Sequence, residues 1–303
     1  MTHAFHLPVL RDEILAAGAA ARRVVDATLG DGGHAEAFLD AGAEVLGIDR
    51  DPDAIAIAGE RLAGRPIELV EAAYASSAAR AAVEAFRPDL ILLDLGVSSR
   101  QLDEDARGFS FRPGAPLDMR MERAGGSAAD FLNQAPESEL KRCFSEFGDE
   151  RKAGRLAREV VRRRERAPFA ISDDFVNAIR AALGPRSGPA DFARLFQAVR
   201  IAVNDELGGL SSVLPVFRNA LLPGGLLAVI SYHSGEDRVV KHAFRDWSRA
   251  CVCPPEQPVC TCRGAALGRA EPRRAVVPGA EEIATNPRAR SARLRFFRKA
   301  DDT

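Results

Sequence analysis

Four short apolar runs, each closing on an acidic residue or a glycine, punctuate the first third of the chain: RRVVDA from residue 22, AEVLGID from 43, IELVEA from 67 and DLILLDLG from 89. Between them lie segments of helical character such as HAEAFLDA and PDAIAIAGERLA. Strand and helix alternating at this spacing point to βαβ units, because parallel neighbours need a crossover and the crossover helices cover both faces of the sheet. The next run of the same kind, GLLAVIS at 225–231, follows an LLPGG turn. Roughly 130 residues intervene, about ten times what a parallel crossover requires, so a second body is expected inside the first. The expected organisation is an α/β domain formed by 1–104 and 205–303, with a helical domain inserted at 105–204.

Within the insert the sequence predicts a polar, glycine-rich loop near 96–118 and then mostly helix. One helix is expected to start near Ser172, as N-cap of DDFVNAIRAAL. Another carries Phe192, Leu195, Phe196, Val199 and Val203, spacings of three and four that lay an apolar stripe on one face and mark it as core. At the end of the chain RAVV and ARLRFFRK read as a last pair of strands joined by PGAEEIATNP.

With 303 residues the chain can bury a sizeable core, and its 42 basic and 43 acidic residues nearly cancel, so net charge announces no nucleic-acid partner. The distribution is uneven. RKAGRLAREVVRRRER at 151–166 holds eight basic residues against two acids, and NPRARSARLRFFRK at 286–299 holds six and none; solvated helix and terminus is one reading, phosphate contact the other. MTHAFHLPVLRDEIL lacks the basic and apolar regions of a signal peptide, and no run reaches the ~20 apolar residues of a membrane helix. A cytosolic protein without membrane contact is expected.

The first strand leads into Gly30-Asp31-Gly32-Gly33-His34-Ala35, which fits G-x-G-x-x-G/A, and Asp49 closes the second strand where a ribose-binding acid is expected. Dinucleotides and S-adenosylmethionine share these features. Asp26, four residues before Gly30, separates them: a carboxylate there repels a diphosphate and attracts an ammonium and a sulfonium. Tyr-x-x-x-Lys, which short-chain reductase chemistry needs, is absent, since Ala78 and Glu236 stand four residues after Tyr74 and Tyr232. S-adenosylmethionine is therefore favoured over a nicotinamide cofactor.

HLPVLRDEIL from His6, DATLGDGGHAEAFL, GIDRDP, LLDLGVSSRQLDEDARGFSFRPGAPLDMRM, LFQAVRIAVNDELGGL, ISYHSGEDRVVKHAFR and NPRARSARLR together resemble the RsmH (MraW) family of bacterial ribosomal RNA methyltransferases, from His6 to about Arg298. The resemblance implies a class I methyltransferase (Rossmann-like), mostly parallel sheet with an inserted helical domain that recognises RNA. It implies S-adenosyl-L-methionine as donor and N4 of a cytidine in the decoding region of 16S rRNA, in the small ribosomal subunit, as acceptor. Carried onto this sequence, the cofactor contacts are Gly32, Gly33 and His34 in the turn, Asp49 on the ribose, Tyr74 beside the adenine, and Asp94 and Gln101 near the methionine end. Tyr74 stands where the family often has Phe, and Gly235 where it usually has Leu.

Cytosine N4 is a poor nucleophile, so a catalyst must hold it in line with the methyl group and accept hydrogen bonds from its protons. The Asp/Asn-Pro-Pro-aromatic stretch that many amino methyltransferases place after the fourth strand is replaced here by DLGVSS. The catalytic candidate is His233, at the carboxyl end of the fifth strand, oriented by Asp237; the other reading is a histidine that ties down a turn. Cys251-x-Cys253 and Cys260-x-Cys262 bracket PPEQPV. Zinc ligation and redox-sensitive loop thiols are both open, zinc sites more often using a spacer of two to four residues, and no metal is assigned. Lone Cys143 reads as core. A methyltransferase of proteins or small molecules, and a non-catalytic RNA-binding protein on the same scaffold, are the rival functions.

Overall fold

The computed structural model describes residues 7–301 apart from Arg123, Pro255, Pro258 and Cys260, with the backbone alone of Ser99. His6, where the resemblance begins, lies outside the described residues. The chain divides into two compact units, Met1–Gly96 with Leu207–Thr303, and Val97–Glu206. In chain order the first half of the larger unit holds α1 (Arg11–Ala17), β1 (Arg23–Asp26), α2 (Gly33–Asp40), β2 (Glu44–Asp49), α3 (Pro52–Arg61), β3 (Ile67–Glu71), α4 (Ser77–Phe86) and β4 (Leu90–Asp94). Then come α5 (Ser99–Asp103), α6 (Ala128–Gln134), α7 (Glu137–Arg142), α8 (Ala153–Arg164), α9 (Ser172–Leu183) and α10 (Pro189–Asn204). The chain returns through α11 (Glu206–Ala220), β5 (Leu226–Ser231), α12 (Ser234–Trp247), β6 (Gly268–Ala270), α13 (Ala280–Thr285) and β7 (Arg293–Lys299).

The sheet of the larger unit runs β3-β2-β1-β4-β5-β7-β6. β3, β2, β1, β4 and β5 pair in parallel, and β7 joins β5 and β6 antiparallel. The mostly parallel, Rossmann-like α/β sheet read from the sequence is thus the one found. Alternation of side chains across the pleat gives the central strands two apolar faces. Val24, Val45, Leu90, Leu92, Ala228 and Ile230 pack on one side. Val25, Leu46, Ile91, Leu93, Leu227 and Val229 pack on the other. Every one of these is almost fully buried, so the central strands β1, β2, β4 and β5 read as nearly continuous apolar runs, whereas β3 and β7 carry partly exposed Glu and Arg positions.

Sequence order doubles back at the centre of the sheet. β1 to β3 step outward to one edge, whereas β4 and β5 lie on the other side of β1. The carboxyl ends of β1 and β4 therefore bound a switch point, where adjacent crossovers leave in opposite directions and open a crevice. β1, β2 and β4, the three strands around that point, all end on an aspartate: Asp26, Asp49 and Asp94.

The smaller unit is built on a separate core of Leu140, Phe144, Leu156, Val160, Phe175, Ile179, Phe192, Leu195, Phe196 and Val199. The apolar stripe of α10 is thus core, as its spacing predicts, with Val203 packed at its margin. Cys143 is buried in the same core, its thiol donating to the Ala198 carbonyl at 3.2 Å. Several arginines of the 151–166 run are tied down locally. Arg164 donates to the Leu132 and Ala135 carbonyls at 3.1 and 2.8 Å, Arg155 to Ala181 and Lys152 to Leu183. These carbonyls end α6 and α9, where no further helical amide reaches them. Glu159 holds Arg162 and Arg163 at 2.6 and 2.7 Å, and the two guanidinium groups keep its carboxyl below the ordinary range against the opposing effect of burial. Arg151, Arg158 and Arg166 stay exposed.

Three local expectations are corrected. RAVV forms no strand: Val276 makes a single bridge to Leu294, and the partner of β7 is β6 at 268–270, while PGAEEIATNP contains α13 instead of a plain turn. Ser172 opens α9 but does not cap it, because its hydroxyl donates to the Arg112 carbonyl at 2.6 Å. Asp174 does that work, accepting from the Ala170 and Ile171 amides at 2.9 and 3.0 Å. The polar stretch 96–118 is not all loop either, since it includes α5 and a 3-10 turn at Asp105–Arg107.

Candidate functional site

After β1 the chain makes a tight turn into α2, and the turn is pinned to β2. The Gly30 amide donates to Asp49 Oδ2 at 2.8 Å, and the Asp51 amide donates to Asp49 Oδ1 at 2.9 Å. The Arg50 amide is directed at the same carboxylate, so three backbone N–H groups fix its orientation at the turn. Burial raises the Asp49 carboxyl above its usual value, partly offset by these amides. Gly32 caps α2 with φ 81°, a left-handed conformation that costs glycine least. Gly33 is required for another reason: a Cβ there would lie 2.8 Å from Pro8 Cγ. Its place in the pattern reflects packing of the N-terminal segment on α2.

Asp26 is the most unusual group of the site. It is 1% exposed, and burial, offset in part by His34 and the Thr28 amide, pushes its carboxyl up to about 6. Oδ1 accepts from the Thr28 amide at 3.3 Å. Oδ2 is buried with no hydrogen-bond donor among the described residues. The Asp94 and Asp49 carboxylates raise Asp26 further, so three acids concentrate negative potential at the switch point. His34, on the first turn of α2, is nearly buried, with Nε2 3.6 Å from Asp94 Oδ2 and without a hydrogen-bond partner among the described residues. An arrangement of this kind is expensive for the free protein and suits a ligand that brings positive charge.

Two residues that the sequence reading did not place in the site hold Asp94. The Tyr232 hydroxyl donates to Asp94 Oδ1 at 2.9 Å, and the Asp94 amide donates to Thr28 Oγ1 at 2.6 Å. Burial, then the Asp94 charge, raises the Tyr232 phenol well above its ordinary value, so it stays a proton donor. Both positions were visible as residues next to strand ends, Thr28 two after β1 and Tyr232 directly after β5, but pairing between strands 1, 4 and 5 is what joins them.

His233 sits where the fifth strand passes into α12. Its Nδ1 accepts from the Gly235 and Glu236 amides at 3.2 and 3.4 Å, making it the N-cap of the helix. Nε2, which carries the proton in that tautomer, lies 3.3 Å from Glu236 Oε1 without a formed hydrogen bond. Glu236, 2% exposed, accepts from the Tyr232 amide at 2.9 Å. A Cβ on Gly235 would lie 3.0 Å from His233 Nδ1; the missing side chain leaves room for the ring to fold over the helix start. Asp237 does not orient His233. Its carboxylate takes Arg295 of β7 at 2.7 and 3.2 Å, with Arg293 at 3.9 Å.

Tyr74 follows β3, half-buried; a Cβ on Gly209 of α11 would lie 3.8 Å from its hydroxyl and 3.9 Å from its ring. Within the larger unit the predicted residues Gly32, Gly33, His34 and Asp94 cluster with Asp26 around the switch point, and Asp49 joins them through Gly30. Gln101 belongs to the smaller unit, where its side chain accepts the Ser98 amide at 3.0 Å in a capping box at the start of α5. Of the C-terminal basic run, Arg298 and Lys299 are spent on the Gly224, Asn219 and Leu221 carbonyls. Arg290 and Arg293 remain exposed.

Residues 3–300 match the MraW methylase family. A ribosomal RNA small subunit methyltransferase H from Gemmatimonas aurantiaca is 56% identical, covering 99% of this chain and 96% of its own. Its counterpart in Rubrobacter xylanophilus is 46% identical over 99% and 98% of the two chains, and that of Heliobacterium modesticaldum 43% over 97% and 98%. A solved rRNA methylase from Streptococcus thermophilus aligns over 98% of this chain and 100% of that one at 11% identity and TM-score 0.39, a likeness too loose to carry weight.

Proposed function

Because the chain belongs to the MraW methylase family and is a methyltransferase, we propose that it transfers a methyl group from S-adenosyl-L-methionine to N4 of a cytidine in the decoding region of small-subunit ribosomal RNA. The observation that carries the donor assignment is Asp26, a buried carboxyl with one oxygen unserved at the mouth of the switch point. The donor supplies an activated methyl on a positively charged sulfur, together with an amino-acid zwitterion. Asp26 and Asp94 suit its cationic groups, and the amides opening α2 suit its carboxylate, since a helix N-terminus favours negative charge. The Asp49 carboxylate suits the hydroxyls of a ribose diol, and the Tyr74 ring an adenine face. A diphosphate fits poorly here, because it would set two further negative charges beside three carboxylates. Gln101 is supported as a donor contact by the family resemblance alone.

Once N4 has attacked, a proton must leave the product, and His233 is the proposed group at the end of β5. In the capping geometry its Nδ1 lone pair is committed to two helix amides and its Nε2 already bears a proton. Accepting a proton therefore requires the ring to give up the cap, at about 1 kcal/mol. Otherwise His233 acts by fixing the start of α12. Reading a base in folded RNA needs a grip on its backbone, for which Arg151, Arg158, Arg166, Arg290 and Arg293 are the exposed candidates. Among the described residues no helix is long and apolar enough to cross a membrane.

Incubating the purified protein with labelled donor and 30S subunits, free RNA or protein extract tests the substrate class. Label in RNA, mapped by mass spectrometry to N4 of one cytidine, is expected; label in protein alone overturns the reading.

A further inference from the structure

Between α12 and β6 the chain runs through residues 248–267 with no helix or strand among the described residues, a length at which unsupported connections are uncommon. Val252 and Val259 are 43% and 68% exposed, while Leu267 at the far end packs on the core of the sheet. Its base is closed by Arg263, which donates to the carbonyls of Asp246 and Arg249 at the end of α12, and by the Leu267 amide on the Trp247 carbonyl at 2.9 Å. That closure folds Cys262 back towards Cys251 and Cys253. The three sulfurs lie within 4.8 Å of one another, and the Val252 amide donates to Cys262 Sγ at 3.4 Å.

We infer that Cys251, Cys253 and Cys262 bind a divalent zinc-class ion as thiolates and that this ion is the missing support of the loop. Around a tetrahedral zinc with Zn–S near 2.3 Å the sulfurs are about 3.8 Å apart, so rotations about the cysteine side chains bring the observed cluster into coordination. The narrow Cys-x-Cys spacing is no obstacle, because the third donor comes from the far strand of the closed loop. An all-sulfur set selects zinc over magnesium or calcium, which take oxygen ligands. An amide aimed at sulfur favours the thiolate, and the Arg263 guanidinium inside the loop offsets the negative charge of three thiolates and one dication. As each sulfur coordinates, its proton passes to solvent. One tetrahedral position is left for a further donor. Cys260 lies outside the described residues, and no role is assigned to it.

The role is structural. α12 spans 14 residues, about 21 Å at the helical rise, and separates the loop from His233 at the other end. The ion therefore pins the end of α12 to β6 without touching donor chemistry.

Elemental analysis of protein purified without chelators is expected to give about one zinc per chain, falling below a tenth in the Cys251→Ser/Cys262→Ser double variant. Should that variant fold poorly, the unaltered protein decides. After chelation it is expected to take up one cobalt(II) with thiolate-to-metal charge-transfer absorption and to lose three titratable thiols. Chelator is expected to lower the unfolding temperature while leaving donor affinity, measured by calorimetry, within twofold. Absence of bound zinc together with no charge-transfer band on cobalt addition to the reduced protein overturns the inference, as does a disulfide that survives reduction-free purification and leaves no metal uptake after it is reduced.

Discussion

Replacing Asp26 with Asn separates what this carboxyl costs the fold from what it does for the ligand. Burial raises its pKa from 3.8 to about 6, a shift of roughly two units, and each unit corresponds to about 1.4 kcal/mol. The folded state holds the proton more tightly than the unfolded chain, so between those two values it binds more protons and stability falls as pH rises. Below pH 3.8 the penalty is absent; above pH 6 it is complete, at about 3 kcal/mol; at pH 5 roughly half is in place. Asn is neutral at every pH and keeps an oxygen for the Thr28 amide. Urea denaturation of the ligand-free proteins at pH 5 and pH 8 measures the difference. Asp26→Asn is expected to be the more stable, with an advantage at pH 8 about twice that at pH 5, while its affinity for S-adenosylmethionine falls at least tenfold. A stability difference that does not change with pH would refute the claim that a buried, partly unserved carboxylate is held here, and unchanged affinity would refute its role toward a cation.

Asp49→Ala is expected to abolish measurable donor binding by calorimetry and to cost about 1–3 kcal/mol of stability, because the Gly30 and Asp51 amides lose their acceptor; intact affinity would remove Asp49 from the site. His233→Ala is expected to lose about 1 kcal/mol of stability with the helix cap, to retain donor binding, and to slow single-turnover transfer at least tenfold, about 1.4 kcal/mol. His233→Asn restores a capping oxygen: recovery of stability without recovery of rate assigns His233 to proton handling, and recovery of both assigns it to positioning α12. Asp237→Ala is expected to cost on the order of 3 kcal/mol, because it strands the nearly buried Arg295 guanidinium, with donor affinity unchanged; a loss of affinity would place Asp237 back in the site.

The sheet was legible because its code is local. β1, β2, β4 and β5 are apolar at every position that both faces of a covered parallel sheet demand, and three of them stop on an aspartate. Those aspartates mark the strand ends, so Asp26, Asp49 and Asp94 stand out in RRVVD, VLGID and LILLD, and strand order then brings them to one switch point. β6 was not legible. At three residues, Gly268–Ala270, it has no apolar run of its own and exists because β7 offers an unpaired edge. The partners of Asp94 were hidden for a similar reason: Thr28 and Tyr232 are far apart in sequence, and only strand order unites them. Asp237 misled through proximity in sequence, since four residues along a helix start says nothing about a guanidinium arriving from β7. The arginine run misled in part, because its charge says nothing about which guanidinium groups end on the carbonyls of neighbouring helices.

Calorimetric titration of the protein with S-adenosylmethionine and, separately, with NAD across pH 5 to 8 tests most directly whether the switch point is built for a cationic sulfur ligand. S-adenosylmethionine is expected to bind at every pH, with affinity flat above about 6 and weakening below it as Asp26 takes up a proton, by up to tenfold per pH unit, while NAD gives no binding heat. NAD binding, or an S-adenosylmethionine affinity indifferent to pH in this range, would contradict the account.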